Sequence, residues 1–264
     1  MAKLTIKEIG IKLTQAGKLE VSPLCIYGSE AVPKNSIPIN KINRCIASAI
    51  FALSIDKNIN SAYIGNSSLD RCCPGGQAWL GYKSFLPMLK YFLSTGSEDF
   101  RGGAAEFLIA NPDLAEERLN SIGKITPLGK YTVIQKCESI DTNNLDGEVI
   151  LCFGISEQIR NLCSLAYFRP DKGFNIQVPW GPSCASFITY PAGMTKNIPP
   201  NSIIIGPTDP TGNCWFPQNY LSIGIPFDIA KRMASDLNDS FISKRSEIAY
   251  PVKRKSITKI DKLL

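Results

Sequence analysis

From Lys130 to Asn238 the chain alternates strand-like and helix-like stretches, and this limits its possible folds more than any other feature. "KYTVIQKC" and "GEVILCFG" are rich in β-branched and aromatic residues and read as strands, and "SEQIRNLCSLAYF" follows as a helix. "FNIQVPW" reads as a strand, "CASFITYPA" as a short helix, "NSIIIGPT" and "YLSIGIP" as strands, and "FDIAKRMASDLN" as a helix. Strands and helices in alternation bury their apolar faces against one another in layers. The expectation is an α/β fold, with α+β as the neighbouring class: a mixed β-sheet with flanking helices.

The first half reads as a helical portion packed on that sheet. Helices are expected from Ile6 to Gly17 and from Ile39 to Leu53, then a short strand from Ser61 to Gly65. Tyr82, Phe85, Leu86, Leu89 and Phe92 recur at helical spacing and predict a helix with a buried face, closed at Thr95-Gly96. "NPDLAEERLNSIG" predicts another. "FGISEQIRNLC" and "IGIPFDIAKRM" share an order of strand, glycine, apolar residue, Ser or Pro, and helix. A weak internal duplication and an ordinary strand-to-helix turn both account for it. No linker interrupts the pattern, so residues 1–241 are read as one α/β domain and residues 242–264 as a basic tail.

Composition sets the partners. With 264 residues, 44% of them hydrophobic, the chain can bury an ordinary core. No run approaches the length of a transmembrane helix, and "MAKLTIKEIG" lacks the apolar stretch of a signal peptide. The reading is a cytoplasmic protein without a membrane partner. The formal charge of +6 is concentrated in the tail, where seven Lys and Arg face only Glu247 and Asp261. The body is nearly neutral, so nucleic acid is not the expected partner, and the tail reads as a solvated end.

The chain has nine cysteines and no histidine. An odd thiol count without an export signal argues against a disulfide framework and for reduced thiols, some of them on metal. The missing histidine removes Ser-His and Cys-His catalysis and His-ligated zinc. A metal would be held by sulfur or oxygen, which favours iron-sulfur clusters or zinc.

Cys25, Cys45, Cys137, Cys152 and Cys163 sit among apolar neighbours and read as core. The other four stand in turns with glycine and proline: "CCPGG" (Cys72 to Gly76), "WGPSCAS" (Trp180 to Ser186) and "GPTDPTGNCWFP" (Gly206 to Pro217). Glycine allows close approach and proline stiffens the turn, as a cluster-binding loop requires. Cys73, Cys184 and Cys214 are the candidate ligands, with Gly75, Gly76 and Gly181 shaping the cradle. Adjacent residues in an extended turn point apart, so Cys72 is core, an outer thiol, or a ligand across a homodimer. Asp209 caps a turn, supplies an oxygen ligand or carries a proton, and Arg71, next to Asp70, is a solvated charge or a thiolate partner. No Walker A or dinucleotide-binding motif occurs.

"CCPGGQAWLGY", "WGPSCASFITYPA", "IIIGPTDPTGN" and "LSIGIPFDIAKRMASDL" appear in an order that resembles the ArCR family, domain-of-unknown-function family 169, of archaea and anaerobic bacteria. The resemblance runs from about Cys73 to Phe241. It carries over Cys73 to Gly76, Gly181 to Cys184, and Asp209; where the family commonly has Arg shortly after that Asp, this chain has Asn213-Cys214. The family's anaerobic range suits an oxygen-sensitive centre.

Two function classes follow. The first is an iron-sulfur protein, with a 4Fe-4S cluster where the three turns converge, passing electrons to a redox partner or reducing a small molecule. The fourth ligand would be Cys72, Asp209, an exogenous group or a second subunit. The second is a metal-free thiol-dependent enzyme or small-molecule-binding protein using Cys73 or Cys184. A nucleic-acid accessory role for the tail is a third reading.

Overall fold

The structure is a computed structural model and describes residues 4–69, 71–140, 145–170, 173–209 and 216–245. Eight strands form one mixed sheet: β1 (Leu24–Ser29), β2 (Ile37–Pro38), β3 (Ser61–Ile64), β4 (Tyr131–Lys136), β5 (Val149–Ile155), β6 (Asn175–Gln177), β7 (Ser202–Gly206) and β8 (Tyr220–Pro226). Their order is β2-β3-β4-β1-β5-β8-β7-β6. The five inner pairings are antiparallel, and only the edge pairs β2-β3 and β6-β7 run parallel. The α/β expectation therefore holds, with the sheet more antiparallel than a chain of βαβ units would give.

Both faces of the sheet are covered, so its central strands are buried throughout rather than alternating with water. Leu24 and Ile26 of β1 and Val149, Leu151 and Phe153 of β5 point into one core; Cys25, Tyr27, Ile150 and Cys152 point into the other. The second core is closed by α1 (Ile6–Gly17), α6 (Ser156–Ala166) and α7 (Phe227–Asp236), with Ile242 of the short α8 (Phe241–Arg245) packed against them. Ile6, Ile9, Leu13 and Ala16 form the buried stripe of α1. A capping box starts that helix, with Thr5 Oγ1 accepting from the Glu8 amide at 3.1 Å and Glu8 Oε2 accepting from the Thr5 amide at 2.7 Å.

The first core lies under α2 (Ile46–Ile55), α3 (Pro74–Trp79) and a π-helix at Ala185–Thr189. Beyond α3, α4 (Leu89–Leu93) and α5 (Pro112–Ile122) pack on each other at the periphery. Here two expectations change. The helix expected from Ile39 to Leu53 is a single turn at Ile39–Lys41 followed by α2, which begins only after Cys45. The helix expected across Tyr82 to Thr95 is broken. α3 stops at Trp79, Gly81 turns the chain with a φ of +79°, and only the five residues of α4 are helical beyond it. The last residues of the expected tail, 246–264, lie outside the described residues.

Candidate functional site

Three helices begin at one place, and each begins at a cysteine. Cys45 is the N-cap of α2, Cys73 the N-cap of α3, and Cys184 the residue before the π-helix. The first amides of a helix have no partner within it, so something outside must meet them. None of the three ends has a conventional side-chain cap. Instead, successive amides of α2 face three different sulfurs: Ile46 faces Cys73, Ala47 faces Cys184, and Ser48 faces Cys45. The positive end of α2 is thus wrapped in thiols.

Main-chain bonds fix this arrangement. The Cys73 amide donates to the Arg44 carbonyl at 3.0 Å, laying the two cysteine turns side by side. Asn43 Oδ1 accepts from the Cys45 amide at 2.9 Å and sets the start of α2. Gln77, almost wholly buried, donates from Nε2 to Leu69 O at 3.1 Å and Cys72 O at 2.8 Å, holding the loop that delivers Cys73. On the other side, Thr208 Oγ1 accepts from the Gly181 amide at 3.1 Å and donates to Pro179 O at 2.9 Å. Tyr190 Oη donates to Trp180 O at 2.9 Å.

The thiols are electrically unequal. The Cys45 S–H donates to Cys73 Sγ, and with the amides of Ile46 and Gly76 this holds Cys73 below the ordinary thiol range although burial opposes it. The same hydrogen bond, followed by burial, pushes Cys45 up. Burial, and then the neighbouring charge of Cys73, pushes Cys184 up. Of the three, Cys73 is the thiol that ionises most readily.

The site opens into a cavity of about 540 Å³. Cys45, Cys73, Cys184, Gly75 and Gly76 form part of its lining; Trp79, Phe85, Leu86, Phe92, Phe100 and Trp180 form apolar walls. Trp79 meets the Phe85 ring edge-on at 5.1 Å and Tyr190 at 5.8 Å, and the Thr189 hydroxyl donates to the Trp79 carbonyl. Lys83, Arg101, Glu106 and Asp209 supply the charged groups of the lining, with Arg101 stacked on Phe92 at 4.3 Å. The apolar residues between Tyr82 and Phe92 thus have their spacing for a reason other than a buried helix face. Phe85, Leu86, Leu89 and Phe92 line the cavity, and Leu86 is 50% exposed.

The structure brings Cys73 and Cys184 together, as the sequence suggested. A Cβ on Gly76 would lie 3.0 Å from Cys73 Sγ and 3.4 Å from Cys184 Sγ, so it would press on the first sulfur and touch the second. Gly75 lines the cavity with open space around it. Gly181 serves the turn instead, since a Cβ there would meet Tyr190 Cε2 at 3.0 Å and Ala185 Cβ at 3.2 Å. Cys72 turns into the core, where its thiol donates to Ser68 O at 3.4 Å and burial pushes it up to about 11. Asp209 is buried at the cavity, and Arg71 is exposed. Cys214 and Asp70 lie outside the described residues.

Cys45 is the member that sequence reasoning placed in the core. The usable signal was Asn43, whose side chain favours a turn two residues on and so marks a helix start at Cys45 rather than a helix interior. Cys25, Cys137 and Cys152 are in the opposite core, where burial raises all three. Among the described residues, no group of three or more Cys, Asp or Glu is placed to hold a metal ion, and no helix is long and apolar enough to cross a membrane.

A family model described as uncharacterised ArCR, a domain of unknown function, matches residues 12–236. The chain belongs to that family. No curated protein and no solved structure matches it.

Proposed function

We propose that this protein is a cytoplasmic, thiol-dependent enzyme that takes a small, largely apolar molecule into the 540 Å³ cavity and attacks it with the Cys73 thiolate. One observation carries this reading: Cys73, the N-cap of α3, is tied by its amide to Arg44 O at 3.0 Å beside the start of α2 and lines the cavity together with Cys45. Without histidine, a thiolate needs Arg, Lys or a helix N-terminus to stabilise it, and here Cys73 stands at the start of α3 beside the start of α2. Lys83 and Arg101 give a polar contact for a ligand whose body lies on the aromatic walls.

The test is alkylation of the reduced full-length chain with iodoacetamide across pH, read peptide by peptide. Cys73 should react first, with a midpoint below the ~8.5 of an ordinary thiol. Cys25, Cys137 and Cys152 should stay unmodified while the protein is folded. An ordinary midpoint for Cys73, or a rate no greater than that of Cys163, would overturn the reading.

A second reading keeps the iron-sulfur cluster. Amides directed at sulfur are what a cluster's ligands require, and Cys45, Cys73 and Cys184 are soft donors that converge. Against it, the described residues form no metal site, and Cys214 lies outside them. The anaerobically prepared protein would then contain iron and acid-labile sulfide and resist alkylation at Cys73 until the cluster is removed. Colourless protein without iron rules it out.

A further inference from the structure

The pairing of Cys45 with Cys73 goes beyond a single nucleophile. A hydrogen-bond donor for a thiolate need not be a thiol; a serine or a main-chain amide suffices. Here the donor is a second cysteine, partly accessible like Cys73 and lining the same cavity. The Cys73 amide bond to Arg44 O at 3.0 Å places the two backbones side by side, and both cysteines line the same cavity. A disulfide needs neighbouring backbones and converging Cβ-Sγ vectors. Among the described residues no main-chain bond ties the Cys184 turn to either the Cys45 or the Cys73 turn, and Cys72 points away toward Ser68 O.

We propose that Cys45 and Cys73 form a working dithiol-disulfide pair that reduces small disulfides admitted by the cavity. This rests on the thiolate reading above and names the substrate class. The Cys73 thiolate attacks one sulfur of R–S–S–R′; the S–S bond breaks and R′S⁻ leaves with the electron pair. Cys45 then loses its proton to solvent and attacks Cys73 Sγ, and RS⁻ leaves. The substrate gains two electrons and, once the leaving thiolates take up protons, becomes two thiols. The protein is left with a Cys45–Cys73 disulfide, which an external dithiol reduces by the reverse exchange.

The division of roles follows from the surroundings. Cys73 is the attacking thiol because it is the one held as a thiolate. Cys45 is the resolving thiol because it stays protonated until its hydrogen bond to Cys73 is lost, which happens when Cys73 becomes a mixed disulfide. The Ile46 and Gly76 amides also stabilise Cys73 as the leaving group when the disulfide is reduced again.

The experiment uses the reduced full-length chain with 2-hydroxyethyl disulfide, a small uncharged probe, then acid quenching, N-ethylmaleimide and peptide mapping. The expected product is a peptide cross-linked through Cys45 and Cys73, with loss of both free thiols and release of two mercaptoethanol equivalents per chain. Cys45→Ser should stop at a stable mixed disulfide on Cys73, and Cys45→Ala should do the same if the serine variant folds poorly. Wild-type protein that holds the mixed disulfide on Cys73 with Cys45 free, or links Cys73 to Cys184, overturns the pair. That outcome differs from failure of the thiolate reading, in which Cys73 is already slow toward iodoacetamide.

Discussion

Cys73 and Arg44 are joined main chain to main chain, the Cys73 amide donating to the Arg44 carbonyl at 3.0 Å. This bond aligns the turn before α3 with the turn before α2, and from it the first amide of α2 comes to face Cys73 Sγ. The thiolate is therefore a product of how two helix starts are set against each other.

Gly76 and Gly75 form a test pair one residue apart. In Gly76→Ala the new methyl would press on Cys73 Sγ and Ile46 Cδ1, each at 3.0 Å. Overpacking of this kind costs about 1–3 kcal/mol. We expect a lower urea midpoint and at least a tenfold slower alkylation of Cys73. Gly75→Ala meets nothing within 4 Å and should change neither.

Cys45→Ala removes the hydrogen bond that contributes most to holding Cys73 down. The pH midpoint for alkylation of Cys73 should rise toward the ordinary thiol value, and Cys45→Ser, which keeps a donor, should fall between. Cys152→Ala, in the opposite core, should leave the profile unchanged. If all three variants give the same midpoint, Cys45 does not position the charge.

Gln77→Leu takes the side-chain donor from the Cys72 carbonyl and one of two donors from the Leu69 carbonyl, which keeps the Cys72 amide at 2.8 Å. Losing partners for buried polar groups costs about 1–3 kcal/mol. Because the same loop delivers Cys73, its alkylation should slow as well, and hydrogen exchange of the Cys72 amide should speed up. A change in stability with unaltered Cys73 reactivity would show that Gln77 has no positioning role.

The buried thiols predict alkaline sensitivity. Burial raises Cys25, Cys137, Cys152 and Cys184 above their unfolded values, so between those limits the folded chain holds more protons than the unfolded one. Stability then falls as pH rises above ~8.5, by up to about 1.4 kcal/mol per pH unit for each thiol that ionises only on unfolding. Cys73, whose value is lowered, acts in the opposite sense: its contribution is present above the unfolded value and is lost as pH falls through the folded one. Urea midpoints under reductant should drop between pH 8 and pH 10. The drop should be shallower in Cys152→Ala.

Most elements were legible because their signals are local. The stripe of Ile6, Ile9, Leu13 and Ala16, the β-branched runs of β4, β5, β7 and β8, and the Pro and Asp that open α5 each announce themselves within a dozen residues. β1 did not. Leu24, Cys25, Ile26 and Tyr27 are all buried because helices cover both faces of the sheet, so the strand lacks the polar alternation that would have marked it. Between Tyr82 and Phe92 the apolar spacing was real, but periodicity does not distinguish a core face from a cavity wall. Local patterns along the chain suffice to read the layered α/β class, the family, and the thiols at glycine-rich turns. That Cys45 joins Cys73 and Cys184, that Cys72 turns away, and that Cys73 is the thiol held low emerge from the packing of distant segments. Those outcomes depend on where three helix starts distant in sequence meet, and the dipoles and donors that stabilise a thiolate act only at that distance in space.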